Sequence, residues 1–207
     1  MSTLVAAKPY DQVFDGQKHY RTILQATARP GTMGQLDDVA IEVPPQFNRA
    51  TALMALALLS GDVTYFLDRA EASAEDFILR ETSAKPADPA HAEFLIFPGA
   101  QHGDALRQAR RGSLSYPDLG ATVIVQAEAI SPAPIDGALR LLLTGPGIES
   151  SAEVYVRGVP GDVFAVLQEH NAEFPVGVDA YLTCDSLSAG PCVLALPRTT
   201  HVRWQQM

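Results

Sequence analysis

Cysteine is scarce in this chain. Its 207 residues hold two, Cys184 and Cys192. Two thiols cannot make a four-cysteine zinc site, and no histidine stands at ligand spacing from them, so no metal site is expected. Both fall at the inner ends of two neighbouring strand-like runs, within reach of a disulfide. A reducing compartment disfavours that bond, and the plain reading is two buried thiols. Lysine is nearly as scarce: Lys8 in the N-terminal tail, Lys18 in a helical pattern and Lys85 in a Pro-rich loop. Positive charge is short overall, with 15 Lys and Arg against 24 Asp and Glu and a formal net charge of −9. An acidic chain without a basic run is a poor partner for nucleic acid, where phosphate neutralisation dominates affinity. Long apolar runs are missing too. The longest, Ala50 to Leu59, is too short to cross a bilayer. The opening MSTLVAAKPYDQ has no long apolar segment of the secretory kind, so the cytoplasm is expected by default. Catalytic signatures are also lacking. There is no GxSxG, no GxGxxG and no GxxxxGK[ST]. The five histidines (His19, His91, His102, His170, His201) make neither HxH nor HExxH.

What is present is alternation of helix and strand. Hydrophobic residues make up 47% of the chain, enough for a full core in one domain of 207 residues. A single domain over 1–207 is expected, with residues 1–13 as a loose tail. Tyr20, Ile23, Leu24 and Thr27 recur at helical spacing and predict a helix over Phe14 to Ala28, with Asp15 as N-cap and Pro30-Gly31 as stop. Val39 to Pro45 reads as a short strand or extended link. Asn48 predicts the cap of a buried helix from Ala50 to Ser60. Strands are expected at Val63 to Leu67, Glu93 to Phe97, Ala121 to Ala127 and Leu139 to Leu143. A Ser73/Asp76 capping box introduces a short helix through Arg80. Asp104 to Arg111 reads as another short helix, and Pro160 to Glu173 as an amphipathic one built on Val163, Phe164, Val166 and Leu167. These elements predict an α/β fold of three layers, α/β/α, around a mixed sheet. Glu71 to Gly103 carries no motif.

The chain closes on its richest stretch. FPVGVDAYLTC (Phe174 to Cys184) and CVLALPRTTHV (Cys192 to Val202) are apolar, β-prone runs around a tip at Asp185 to Pro191, and predict a hairpin. The second strand runs into Arg198, Thr199, Thr200 and His201. If extended, it sets Arg198 and Thr200 on one face, offering a guanidinium and a hydroxyl to an anionic oxygen, with His201 as acid, base or ion partner. The structural reading of the same residues is an Arg198 paired with Asp179 on the neighbouring strand. Three other motifs have plain readings beside functional ones. Gly145-Pro146-Gly147 follows a strand but starts no helix, which favours a turn over a phosphate cradle. Arg29-Pro30-Gly31 is a helix stop or a partner contact. Arg107, Arg110 and Arg111 form a solvated basic face or a subunit contact.

FP-aliphatic-G-aliphatic-D, LTC and PRTTHV resemble the C-terminal signature of the H subunit (PhnH) family of the bacterial carbon–phosphorus lyase core complex. YRTILQATARPGTM (Tyr20 to Met33), LGATVIVQ (Leu119 to Gln126) and LLLTGPGI (Leu141 to Ile148) are similar to family segments in the same order. The matches run from Tyr20 to Val202. The resemblance implies a fold like the large domain of pyridoxal-phosphate-dependent aminotransferases without the cofactor, and the lysine positions fit that absence, because none follows a strand as a Schiff-base lysine must. It implies work with G, I and J subunits in phosphonate catabolism. The step is displacement of adenine from a purine nucleoside triphosphate by a phosphonate, followed by radical C–P cleavage on the J subunit. Arg198, Thr199, Thr200 and His201 are carried over from the family motif. Three readings stay open: an obligate subunit of that transferase, with these residues at an interface or shared site; a stand-alone enzyme or binding protein for a phosphorylated ligand using Arg198 and His201; or a scaffold that buries the hairpin in a homodimer.

Overall fold

The structure is a computed structural model and describes residues 10–99, 104–186 and 189–206. Residues 1–9 of the expected tail, His102, and Leu187 and Ser188 of the hairpin tip lie outside the described residues. Tyr10, inside the expected tail, is attached: its ring stacks on His19 and its hydroxyl lies 3.2 Å from His19 Nδ1.

Helix α1 (Phe14–Ala28) has the expected bounds. Its start is fixed differently. Asp11, not Asp15, receives the free N–H groups of Val13 and Phe14, both at 3.0 Å. Asp15 lies within the first turn, where its carboxylate accepts the Asp11 N–H at 2.9 Å. Helix α2 (Arg49–Leu58) begins at Asn48, whose side-chain oxygen accepts the Thr51 N–H at 2.7 Å. It is buried from Ala50 through Leu56, as an all-apolar helix must be. Helix α3 (Ala72–Thr82) packs beside it and starts at Glu71 without a side-chain cap, so the Ser73/Asp76 box is not formed. The helix expected at Asp104 to Arg111 shortens to a 3₁₀ turn at Leu106–Gln108.

Seven strands form the first sheet. In spatial order they are β1 (Met33–Gln35), β10 (Gly190–Leu196), β9 (Asp179–Ser186), β5 (Thr122–Gln126), β4 (Phe94–Phe97), β2 (Thr64–Leu67) and β3 (Lys85–Pro86). Only β10 runs against its neighbours. Of the two readings of Val39 to Pro45, a short strand or an extended link, the segment forms no strand, and β1, before it, takes the sheet edge. Alternation along the strands separates two cores. Ile124 of β5, with Val193 and Ala195 of β10, joins the cluster under α1, α2 and α3. Val123, Val125, Leu182, Leu194 and Leu196 face the other way.

On that second face the expectation of a helical layer is corrected. Helix α4 (Gly161–His170) shares it with a second sheet of four antiparallel strands, ordered β11 (His201–Gln206), β7 (Leu139–Thr144), β8 (Ala152–Arg157) and β6 (Ala129–Ser131). Leu139, Leu141 and Leu143 of β7 and Val154 and Val156 of β8 supply its inner surface. The cause is the period-two pattern from Ala129 to Arg157, which needs a sheet to bury its apolar side. The protein is therefore a mixed α/β fold with helices on one face of a mixed sheet, and a sheet plus one helix on the other.

Candidate functional site

Strand β10 ends at Leu196 because Pro197 has no N–H for the ladder. Pro197 to Thr200 then fold into a turn closed by the Thr200 N–H on the Pro197 carbonyl at 2.8 Å. The chain re-enters as β11 in the other sheet. Arg198 and Thr200 are thus not neighbours on an extended strand, and the shared-face arrangement expected for Arg198 to His201 does not form.

Arg198 is instead a clamp. Its side chain is only 15% exposed. Nη2 meets Asp179 Oδ2 at 2.6 Å, and Nε lies 3.2 and 3.3 Å from the two carboxylate oxygens. The Arg198 backbone N–H donates to Asp179 as well, at 2.9 Å. Nη1 donates to the carbonyls of Pro117 at 2.7 Å and Pro175 at 3.3 Å. One guanidinium thus joins β9, the loop before β5 and the loop after α4. This planar, multidentate use of arginine is one that lysine cannot copy. Gly120 makes room for it: a Cβ there would lie 2.2 Å from the Gly177 carbonyl and 3.1 Å from Arg198. Asn171 holds the same loop by accepting the Val178 N–H at 2.8 Å. The structural reading of Arg198 with Asp179 holds, and the sequence reasoning missed Pro117, Gly120, Asn171, Pro175 and Gly177. The signal lay in YPDLG and FPVG, whose Pro and Gly residues free carbonyls and space for a large cation.

Beside this clamp, α4 and the 197–200 turn bound a cleft of about 200 Å³. Phe164, Leu167 and Asn171 line one side, and Pro197, Thr200 and His201 the other. The Thr200 hydroxyl is buried without a hydrogen-bond partner. His201 is exposed at the start of β11, across from Thr144. Thr199 is half-buried, and its carbonyl abuts Gly145.

The Gly145-Pro146-Gly147 motif is a packing turn. A Cβ on Gly147, at φ +84°, would come within 2.5 Å of the Ala28 carbonyl, and one on Gly145 within 2.5 Å of the Thr199 carbonyl. The turn is wedged between the end of α1 and the clamp segment. Arg29 is exposed at the C-cap of α1. Arg107 pairs with Glu169 at 2.6 Å and Arg110 with Glu93 at 3.4 Å, so that cluster is divided between two partners.

Among the described residues, the histidines do not gather. His19 is enclosed, with Nε2 donating to the Asp37 carbonyl at 2.9 Å while Nδ1 accepts from Tyr10. His170 is buried, with Nε2 donating to the Leu106 carbonyl at 2.8 Å, and burial holds its pKa below the ordinary histidine value. No group of three metal-ligating side chains occurs among the described residues. No helix among them is long and apolar enough to cross a membrane.

Fold and site define a class: a mixed α/β protein whose most marked polar constellation is a structural clamp beside a small cleft. The chain belongs to the family described as bacterial phosphonate metabolism protein (PhnH), whose model matches residues 8–203. It is 34% identical over 194 residues to the alpha-D-ribose 1-methylphosphonate 5-triphosphate synthase subunit PhnH of Rhizobium meliloti (strain 1021), covering 92% of this chain and 91% of that relative. It is 31% identical over 186 residues to HtxG of Stutzerimonas stutzeri, named as a candidate C-P lyase subunit, covering 90% of this chain and 85% of that relative.

Proposed function

We propose that this chain is a subunit of the carbon–phosphorus lyase system for phosphonate catabolism. There it is needed for transfer of a phosphonate to the ribose C1 of ATP with release of adenine, and it has no turnover alone. The names of its relatives support the assembly. The observation that carries the non-catalytic role is the commitment of Arg198 to Asp179, Pro117 and Pro175. The cation that a stand-alone enzyme would need as phosphate anchor is spent on holding three segments together. His201, exposed at the cleft mouth, is the group left for a nucleotide or phosphonate contact at a shared site.

In this reading the partners are the G, I and J subunits, the isolated chain is a homodimer, and the compartment is the cytoplasm. The fold is like the large domain of aminotransferases without pyridoxal phosphate. Lysine placement supports that last point: Lys18 is on the surface of α1 opposite Asp37, and Lys85 lies on the edge strand β3. The test is co-expression with the G, I and J subunits, followed by native mass measurement and assay with ATP and methylphosphonate. The expected result is a stable complex containing this chain, adenine release by the complex and none by the chain alone. Adenine release by the isolated chain, or its absence from the complex, would overturn the proposal.

A further inference from the structure

Cys184 on β9 and Cys192 on β10 are direct cross-strand partners. Their sulfurs lie 2.8 Å apart with both thiols free, and each residue is at most 2% exposed. That separation is shorter than the ~3.5–4.0 Å contact of unbonded heavy atoms. A disulfide, at about 2.05 Å, needs less than 1 Å of further approach. We propose that Cys184 and Cys192 are a redox-active dithiol that closes to a disulfide across β9 and β10 when the protein meets a hydroperoxide.

In the contact between the two sulfurs either thiol can donate, so either can be the attacking sulfur. With Cys184 attacking, its thiolate takes the terminal oxygen of the hydroperoxide. An S–O bond forms, the O–O bond breaks, and the alkoxide or hydroxide leaves with a proton as alcohol or water. The Cys192 sulfur then attacks the Cys184 sulfenic acid. The S–S bond forms, the S–O bond breaks, and the Cys192 proton leaves with the hydroxide as water. Two thiols and one hydroperoxide give one disulfide, one alcohol or water, and one water.

The cross-link would pin the register of the hairpin that presents Asp179 to Arg198 at one end and Asp185 to α2 at the other. The dithiol chemistry stands apart from the subunit role: it is read on the purified chain without partners or substrates. Folded chain is exposed to hydrogen peroxide, quenched with catalase, unfolded in urea with N-ethylmaleimide and weighed by mass spectrometry. The expected product has lost two hydrogens and takes maleimide only after reduction. Its thermal midpoint is raised by several degrees. Cys184→Ser and Cys192→Ser, with Cys192→Ala as an alternative where serine perturbs folding, show neither change. Wild type that keeps two alkylatable thiols, or gains oxygen without losing hydrogens, would refute the assignment, and that readout needs no variant.

Discussion

Two side chains in the 197–200 turn behave oppositely, although both looked like anion ligands. Removing Arg198 leaves Asp179 half-buried without its cation and frees two carbonyls. Arg198→Ala is expected to destabilise by about 2–4 kcal/mol, because the partner left behind loses its compensation. Arg198→Lys recovers little of this, since a point charge cannot serve a carboxylate and two carbonyls at once. Thr200→Val replaces a buried, unpartnered hydroxyl with a methyl of the same shape, so stability is expected to stay level or rise. Urea unfolding of the three variants settles the contrast. A Thr200→Val loss as large as that of Arg198→Ala would mean that the hydroxyl has a partner in solution.

At the scale of elements, α2 is docked by its N-terminus to the end of a strand. Asp185, just beyond Cys184 on β9, takes the Arg49 and Ala50 N–H groups at 2.8 and 3.0 Å, while Asn48 takes that of Thr51. Below them the Thr51 and Thr183 hydroxyls meet at 2.7 Å. The start of α2 is therefore satisfied by the protein's own carboxylate, which uses the positive helix end that an external anion would seek. Asp185→Ala is expected to lower stability by about 1 kcal/mol through the lost cap, with Asp185→Asn in between. A shifted urea midpoint at unchanged slope is the expected signature. The Asn48 cap was legible from its place before an apolar run. The Asp185 cap was not, because its partners lie 136 and 135 residues away in the chain.

For the whole molecule, the seven-stranded sheet is a common wall between two cores. Neither core survives without it, so the chain is expected to unfold in one step. Trp204, the single tryptophan, packs on Phe164 in the core beneath the second sheet and reports on that side. Helices α1, α2 and α3 dominate the far-ultraviolet signal of the other side. Coincident fluorescence and circular dichroism transitions in urea are expected. Two separated transitions would mean that the chain holds two units.

The sequence by itself determined the elements with strong local signals. Helix α1 forms over the expected residues from its periodicity; α2, from its cap and apolar run, stops at Leu58; and the β9–β10 hairpin, from its paired apolar runs, forms with β9 starting at Asp179 and β10 ending at Leu196. The family signature could also be read there, because it resides in residue identities. Only the tertiary structure decided how the second face is covered, that β11 leaves the hairpin's sheet for another, and that Arg198 serves Asp179, Pro117 and Pro175. The physical reason is range. Helical periodicity and caps act over a few residues, whereas the clamp joins groups 19, 23 and 81 residues apart, whose meeting depends on the sheet order.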